Sequence, residues 1–319
     1  MKTFYLIFVF FLFVNFISAQ TSLQDGIRLL EKKEYDQARS VFEAVLKSDK
    51  NNAKAHMLLG SLLMGYYRNF DDAEEHLEKA VELDGGNAEY HWYLGNVYGA
   101  QAQVAGFFSK ISYARKLKTE FIKAVELNPD DIRFRESLMV YYLRAPGIIG
   151  GSVEKAKEQA KEMMRLNACS GHFAYAQIAI YEKNSAWAEQ ELKQAIQAEP
   201  KNWRPYHRLG YLYVEQKRYD EAISQFQQYV NLAPDDANSY DSLGEGYFYK
   251  GDFSAAIPQF QKALSVNPKF GSSLYNLGRS YEKNNNRDEA LKNYRKYLEI
   301  EPEGQYADEV EKKVKELSE

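Results

Sequence analysis

The chain has 319 residues, of which 45% are hydrophobic and 27% are charged, and it contains 25 tyrosines. This composition is typical of a folded helical protein with many half-buried rings, and it argues against disorder. The formal net charge is -4 and charges of both signs are mixed along the chain, so a basic surface for nucleic acid is excluded. We therefore expect no nucleic-acid partner.

The first nineteen residues have the pattern of a secretory signal peptide. Lys2 gives a positive start, an apolar run extends from Phe4 to Val14, and Ala19 provides a small residue for cleavage. An uncleaved membrane anchor is the alternative, but the run is shorter than the about 20 apolar residues that span a bilayer. The pattern predicts cleavage near Ala19, export to the periplasm or the medium, and no membrane span in the mature chain.

Residues 20–168 contain four segments in which small and large side chains recur at helical spacing. Each segment predicts a pair of packed helices. Added residues near 99–115 and 145–151 interrupt the third and fourth segments. The residues that mark the four pairs are Gly26, Ala38 and Phe42; Gly60, Ala73 and Leu77; Gly95, Tyr98 and Phe121; and Leu138, Tyr142, Ala156 and Ala160.

The first added stretch, 99–115, contains the adjacent aromatic residues Phe107 and Phe108. It predicts either a lengthened helix pair or a loop folded over one face. Contiguous aromatic residues are usually buried. We therefore expect both rings to pack against Ile148 and Ile149 of the second stretch, in preference to forming a flap over a ligand.

The second added stretch, from Ala145 to Ser152, is rich in glycine but lacks the lysine and the preceding strand of a phosphate-binding loop. It predicts a connector between two helices, with Ser152 capping the second helix. Ser152 and Lys155 also have the spacing of a serine acylase pair, yet no other motif of those enzymes accompanies them.

Residues 169–304 divide into four consecutive windows of 34 residues without an insertion. The eighth position of each window is small, the twentieth is alanine, and the thirty-second is proline, which ends a helix because it cannot donate the helical hydrogen bond. Stacked helix pairs of this kind bury a continuous core. The three positions hold Ala176, Gly210, Gly244 and Gly278; Ala188, Ala222, Ala256 and Ala290; and Pro200, Pro234, Pro268 and Pro302.

This pattern resembles the tetratricopeptide repeat (TPR), in which Leu-Gly-x-x-Tyr lies on a first helix and Ala-x-x-x-Phe on a second. The resemblance implies an all-α superhelical solenoid of about eight helix-turn-helix repeats, and residues 305–319 are expected to form a C-terminal cap helix. The 145–151 stretch is also similar to an APGxxGG segment of exported bacterial TPR proteins, which implies location and architecture but no reaction.

In the TPR family, ligands usually lie on the concave surface formed by the first helices. The resemblance therefore implies a groove lined by aromatic and charged side chains, although any one of them could instead cover a neighbouring helix. The Lys/Asn/Arg clamp that one TPR subgroup uses for acidic chaperone tails is absent. The candidate partner-binding residues are Met57, Trp92, Asn96, Arg133, Phe173, Arg204, His207, Tyr211, Asn238, Asp241, Glu245, Phe248, Tyr275 and Arg279.

The sequence shows no catalytic or metal-binding constellation beside the repeats. The five histidines lack zinc-binding spacing, and Cys169, three residues before His172, is expected to be a small buried hydrophobe at a helix start. We therefore expect no enzyme activity, no cofactor and no metal. The sequence predicts an exported scaffold for a protein or peptide partner, and the alternative is a binder of cell-wall glycan or peptide fragments.

Overall fold

The structure is a computed structural model that describes residues 23–319. Over this range the chain forms helices joined by turns and contains no strand, which confirms the all-α class. The predicted signal peptide at 1–19 lies outside the described residues. Among the described helices, none has the length and apolar character needed to cross a membrane.

Eight helix pairs and a final helix follow one another along the described chain, as the repeat pattern predicted. The two helices of each pair pack against each other. In order, the pairs are α1 (described over 23–31) and α2 (Tyr35–Ser48); α3 (Ala53–Leu62) and α4 (Phe70–Leu83); α5 (Ala88–Val104) and α6 (Phe107–Leu127); α7 (Ile132–Arg144) and α8 (Val153–Leu166); α9 (Ala168–Tyr181) and α10 (Ser185–Ala198); α11 (Trp203–Glu215) and α12 (Tyr219–Leu232); α13 (Ala237–Lys250) and α14 (Phe253–Val266); α15 (Gly271–Lys283) and α16 (Arg287–Ile300); the final helix is α17 (Ala307–Ser318).

The chain forms two compact units. The first ends at Leu166 and includes α1 to α8, and the second begins at Asn167 and includes α9 to α17. In the second unit α11 contacts α13, and α13 contacts α15, so the first helices of successive pairs lie side by side. In the first unit α3 contacts α5 in the same way. We call the surface formed by these helices the first-helix face of each unit.

Most helices begin at an asparagine or aspartate. The side chain of Asn52, for example, accepts the backbone N–H of Ala55 at 3.0 Å. Such a cap satisfies a donor that the helix leaves unpaired and stabilises it by about 1 kcal/mol. Ser152 caps α8 as predicted, with its Oγ accepting from the backbone N–H of Lys155 at 3.3 Å. Further caps are Asn69, Asn87, Asp131, Asn167, Asn184, Asn202, Asp236, Asp252 and Asn286.

A glycine lies where the two helices cross in three of the four regular pairs, and Ala176 takes this place in the other. A Cβ added at Gly210 would lie 2.4 Å from Cε1 of Phe226, and one added at Gly244 would lie 2.6 Å from Cε1 of Phe260. These distances are too short for any real side chain, so the glycine allows the backbone of one helix to touch the ring of the other. This contact joins the small and the large side chains whose recurrence predicted a pair of packed helices.

The short turn within a regular pair contains one residue in the left-handed backbone region. Between α11 and α12 this residue is Lys217, with φ of 60°, and between α13 and α14 it is Gly251, with φ of 88°. The next N–H, of Arg218, then donates to the carbonyl of Tyr213 at 2.9 Å. The turn thereby satisfies a carbonyl at the end of the first helix and reverses the chain.

The irregular pairs differ where the sequence has added residues. A π turn at Leu63–Tyr67 follows α3 and accommodates one extra residue. The 99–115 stretch forms a lengthened helix pair, since α5 and α6 have 17 and 21 residues while α11 and α12 have 13 and 14. The second stretch forms a 3-10 turn at Gly147–Ile149.

The expected packing between the two added stretches is wrong. Phe107 and Phe108 are 73% and 85% exposed, and Ile148 is 87% exposed. The added turns lengthen α5 and α6 at the end where they meet. This carries the two rings away from the core that the helices of ordinary length bury.

The final helix covers the end of the second unit. Val310 is fully buried, and Tyr306, Val314 and Leu317 pack against the same cluster. The predicted cap helix is therefore confirmed. It closes the apolar face that the last pair would otherwise expose.

Replacing Gly60 with valine should destabilise the first unit. A Cβ at this position would lie 2.7 Å from Cγ of Leu77 and 3.1 Å from the backbone oxygen of Ala73. We expect overpacking to lower the free energy of unfolding by about 1 to 3 kcal/mol. Gly65→Val is the matched control, because a Cβ there meets no described atom within 4 Å. Denaturation followed by circular dichroism measures both, and equal losses would contradict the role of the crossing.

Candidate binding surface

Two acidic side chains lie on α13, in the middle of the first-helix face of the second unit. Asp241 is 3% exposed, and Glu245, one turn later, is half-buried. A buried carboxylate is costly unless hydrogen bonds compensate for the lost water. Ser272 and Ser273 of α15 provide this compensation for Asp241, donating to its two carboxylate oxygens at 2.9 and 2.6 Å.

Glu245 receives hydrogen bonds from both neighbouring first helices. The hydroxyl of Tyr211 on α11 donates to its Oε2 at 2.6 Å, and Nδ2 of Asn276 on α15 donates to its Oε1 at 3.3 Å. The two acids of α13 therefore join three successive first helices through polar side chains.

The pKa values of these groups reflect their burial. Burial and the neighbouring charge of Glu245 raise the pKa of Asp241 to about 6, although the serine hydrogen bonds act in the opposite direction. Burial also raises the pKa of Glu245, against the hydrogen bonds from Tyr211 and Asn276 and the charge of Arg279. Burial raises the pKa of Tyr211 far above its ordinary value, so its hydroxyl stays a donor.

Arg279 places a positive charge beside the acids. The carbon of its guanidinium lies 4.3 Å from the ring centre of Phe248 and 5.2 Å from that of Tyr275. Its Nη1 also donates to Oδ1 of Asn276 at 3.3 Å. Contacts with aromatic rings orient a guanidinium without neutralising it. The charge of Arg279 can therefore still pair with an acidic group of a ligand.

The rings of this surface differ in how much of each stays accessible. Tyr275 is 6% exposed because Tyr306 stacks on it, with the ring centres 4.0 Å apart and the planes at 5°. Its hydroxyl donates to Glu309 of α17 at 2.9 Å. Phe248 is only half-buried, so part of its ring can contact a ligand.

A second group of predicted residues surrounds His207 on α11. Its ring meets that of Tyr211 edge-on, with centres 5.0 Å apart, and Nδ2 of Asn238 lies 3.4 Å from its Nε2. Burial, followed by the charge of Arg208, lowers the pKa of His207 to about 4. The imidazole is therefore neutral at neutral pH, and its Nε2 is free to accept from Asn238.

The remaining candidate partner-binding residues of the second unit, Phe173 on α9 and Arg204 on α11, contact each other. The guanidinium carbon of Arg204 lies 4.7 Å from the ring centre of Phe173. Arg204 is exposed and Phe173 is half-buried, so this contact lies at the surface.

In the first unit the predicted residues form a separate group on α5 and α7. Nε1 of Trp92 donates to Oγ of Ser137 at 2.8 Å, and the guanidinium of Arg133 lies 5.3 Å from the Trp92 ring centre. Asn96 is half-buried on α5. Met57 is 4% exposed within the core of the first unit, which leaves it little area for a ligand.

The structure thus brings six of the predicted residues together in what we call the α13 cluster. Whether they contact a partner stays a prediction. The sequence analysis did not identify the side chains that hold the two acids, Ser272, Ser273 and Asn276. The repeat register contained the signal, because all three lie 31 or 32 residues after the acid that they contact. The α13 cluster consists of Tyr211, Asp241, Glu245, Phe248, Tyr275 and Arg279.

The two residue pairs with catalytic spacing, Cys169 with His172 and Ser152 with Lys155, contact other side chains of the fold. Cys169 is buried at the start of α9, as predicted, and burial raises its pKa to about 11, so the thiol is protonated at neutral pH. Nδ1 of His172 instead lies 2.7 Å from a carboxylate oxygen of Glu191. The ammonium of Lys155 lies 5.7 Å from the ring centre of Tyr142. Within residues 23–319, no group of three or more His, Cys, Asp or Glu side chains could hold a metal.

Comparison with known proteins identifies the class of the fold. One family model described as tetratricopeptide repeat matches residues 29–92 and 179–244, and a second with the same description matches residues 242–305. Together they match more than half of the chain. The chain therefore belongs to the tetratricopeptide-repeat family, whose fold is generally non-catalytic and binds protein partners. No curated protein matches the sequence.

Solved structures that are similar to this chain include the following two. A chain of the APC/C hetero-tetramer Cut9-Hcn1 is 16% identical with a TM-score of 0.53, and the match covers 89% of this chain and 53% of that one. A tetratricopeptide repeat protein from Parabacteroides merdae ATCC 43184 is 17% identical with a TM-score of 0.50, and the match covers 84% of this chain and 99% of that one. This chain thus spans about half the length of the first. At these identities the likeness shows the fold alone.

Asp241→Asn should flatten the dependence of stability on pH between about pH 4 and pH 6. The folded pKa is raised to about 6 from an ordinary value of 3.8, so the folded state holds this proton more tightly than the unfolded chain. The resulting stabilisation is complete below about pH 4 and is lost as the pH rises through 6. Relative to the variant, the wild type should therefore lose unfolding free energy over this range.

Urea denaturation at several pH values from 4 to 7 measures this difference. Asp235→Asn removes an exposed carboxylate from the turn before α13 and is the matched control. If wild type and Asp241→Asn give parallel profiles, the assigned pKa of Asp241 is wrong.

Proposed function

We propose that this protein is an exported, non-catalytic scaffold that binds an extended segment of a protein partner along the first-helix face of its second unit. The signal-peptide pattern of the first nineteen residues supports export. The family membership and the protonated, buried thiol of Cys169 support the absence of catalysis.

The α13 cluster is the observation that carries this proposal. Its side chains come from α11, α13 and α15, three first helices in succession. Packed helices lie about 8 to 10 Å apart, so three of them span about 20 Å. An extended peptide covers that distance with about six residues, since each adds about 3.3 Å. A ligand that reaches the whole cluster is therefore elongated and crosses the helices.

The chemistry of the cluster suits a peptide. Arg279 offers a cation to an acidic side chain, Glu245 offers an anion to a donor, and Phe248 offers apolar area. A peptide supplies all three kinds of group together with its backbone amides. Asp241 is too buried to contribute much direct contact, and its hydrogen bonds, with that of Tyr211 to Glu245, hold α13 in place against its neighbours.

A glycan ligand is less well supported by this geometry. Sugars bind to the exposed faces of aromatic rings, and here those faces are largely covered. Tyr275 lies beneath Tyr306, and in the first unit the guanidinium of Arg133 lies over the ring of Trp92. The ring of Phe248 is half-buried, and the guanidinium of Arg279 lies 4.3 Å from its centre, so little of its face is left for a sugar.

A photo-crosslinking residue in place of Phe248 should capture one protein partner from an envelope extract of the producing organism. The same residue in place of Ser265, an exposed position on the second helix α14, should not. Arg279→Gln should lower the crosslink yield by about tenfold or more, because a charge-assisted hydrogen bond contributes about 1.5 to 3 kcal/mol. Arg295→Gln, which removes an exposed arginine from α16, is the matched control.

Equal capture from positions 248 and 265 would contradict the proposed surface, and so would a yield that Arg279→Gln leaves unchanged. Pelleting of the purified protein with cell-wall material at low salt, without any protein crosslink, would favour the glycan ligand instead.

A further inference from the structure

The α5–α6 hairpin ends in an exposed apolar tip that the proposed peptide surface does not use. Val104, Phe107 and Phe108 are 66%, 73% and 85% exposed, and the two phenylalanine rings lie 5.5 Å apart. We call residues 104–108 the hairpin tip. Large apolar side chains grouped at the surface usually mark an interaction site.

The sequence around the hairpin tip is basic. The chain has 45 acidic residues, yet none occurs between Glu89 and Glu120. This interval includes most of both helices of the hairpin. An apolar end followed along its helix by exposed basic residues has the character of an element that meets a negatively charged surface. The basic residues of the interval are Lys110, Arg115, Lys116 and Lys118.

Phe108 shares one face of α6 with Arg115 and Lys116. A shallow groove continues from the hairpin tip along this face, with its residues three or four positions apart. At its far end Lys116 pairs with Glu74 at 3.2 Å, whereas Lys110 and Arg115 are exposed nearer to the tip. Along α6, the exposed aromatic rings therefore come first and the basic side chains follow them. The groove is lined by Phe108, Ile111, Ser112, Arg115, Lys116 and Thr119.

We propose that the hairpin tip docks on the surface of a bilayer that contains anionic phospholipid. The rings of Phe107 and Phe108 enter the boundary between headgroups and acyl chains, while Arg115 lies at the level of the phosphates and Lys110, nearer to the rings, reaches them through its long side chain. Along α6, Arg115 lies about 10 Å behind Phe108, because an α-helix rises about 1.5 Å per residue. This distance agrees with the depth of about 5 to 10 Å to which interfacial apolar groups are buried.

The size and charge of the hairpin tip favour a bilayer over a second copy of this chain. Two phenylalanines and a valine provide far less area than the about 800 Å² per partner of a stable protein interface. Two copies meeting through this face would also bring Lys110 and Arg115 close to the same residues of the other copy, and like charges repel. A charged bilayer avoids both problems, since electrostatic attraction adds to a small insertion.

This docking surface goes beyond the proposed function. The hairpin tip belongs to the first unit and the α13 cluster to the second. Either proposal can therefore fail while the other holds.

A fluorescent label at the hairpin tip tests the docking directly. Phe108→Cys in the full chain is labelled with the environment-sensitive dye NBD, while Cys169, which is 1% exposed, stays unreacted. Vesicles of phosphatidylglycerol and phosphatidylcholine should raise the emission several-fold and shift it to the blue, and vesicles of phosphatidylcholine alone should do so weakly. Because the dye reports only its own surroundings, vesicle binding by another part of the chain does not imitate this signal.

Two controls define the specificity of the signal. The same dye on Tyr181→Cys, at a 53% exposed position of the second unit, should respond to neither vesicle. In the protein labelled at position 108, Phe107→Ser should weaken the apparent vesicle affinity by about tenfold. The double variant Lys110→Gln, Arg115→Gln should also weaken this affinity, and its effect should be larger at low salt than at high salt, because salt screens the attraction. Melting temperatures should not change, since these side chains are exposed.

Emission that the anionic vesicles leave unchanged would overturn the proposal. An affinity that neither Phe107→Ser nor the charge variant lowers would also overturn it. If emission instead rises with protein concentration in the absence of vesicles, the hairpin tip is a contact between copies of this chain and the bilayer proposal fails.

Discussion

The fold depends on the close approach of a glycine backbone in one helix to a large side chain in its partner. At Gly278 an added Cβ would lie 2.5 Å from the ring of Tyr294, which is fully buried and yet donates its hydroxyl to Glu282 at 2.8 Å. One pair cannot bury its outer faces by itself, so the contact is useful only when pairs stack. The core is therefore a property of the stacked pairs together, and the final helix is needed to close it.

Stacking also explains how the second unit holds two carboxylates away from water. Neighbouring pairs keep a constant register, so a donor on the next first helix always lies a fixed distance along the chain. Asp241 and Glu245 contact donors 31 to 34 residues before or after them. Because these bonds span three helices, the acids stiffen the surface on which Arg279 and Phe248 are presented. The polar contacts thus serve the same face that the repeat pattern assigns to a ligand.

The added residues leave the helix crossings intact. The pair with the π turn still places Gly60 against Leu77, and the lengthened pair still places Gly95 against Phe121. Additions are accommodated at the end of a pair where its two helices meet, away from the crossing. A repeat protein can thereby gain a second exposed surface, such as the hairpin tip, without losing its core.

The helix pairs, their crossings and the cap could be predicted from the amino-acid sequence, because they follow from local spacing and from a register repeated along the chain. The resemblance to the repeat family also implied that the six residues of the α13 cluster share one face. The burial of each of these residues depends on how the helices pack, and it could not be predicted from spacing. Met57 and Asp241 are almost covered because a neighbouring helix lies close to them, and spacing along one helix does not report that approach. Phe107 and Phe108 are exposed for the opposite reason, since the lengthened helices carry them past the core that aromatic residues usually join.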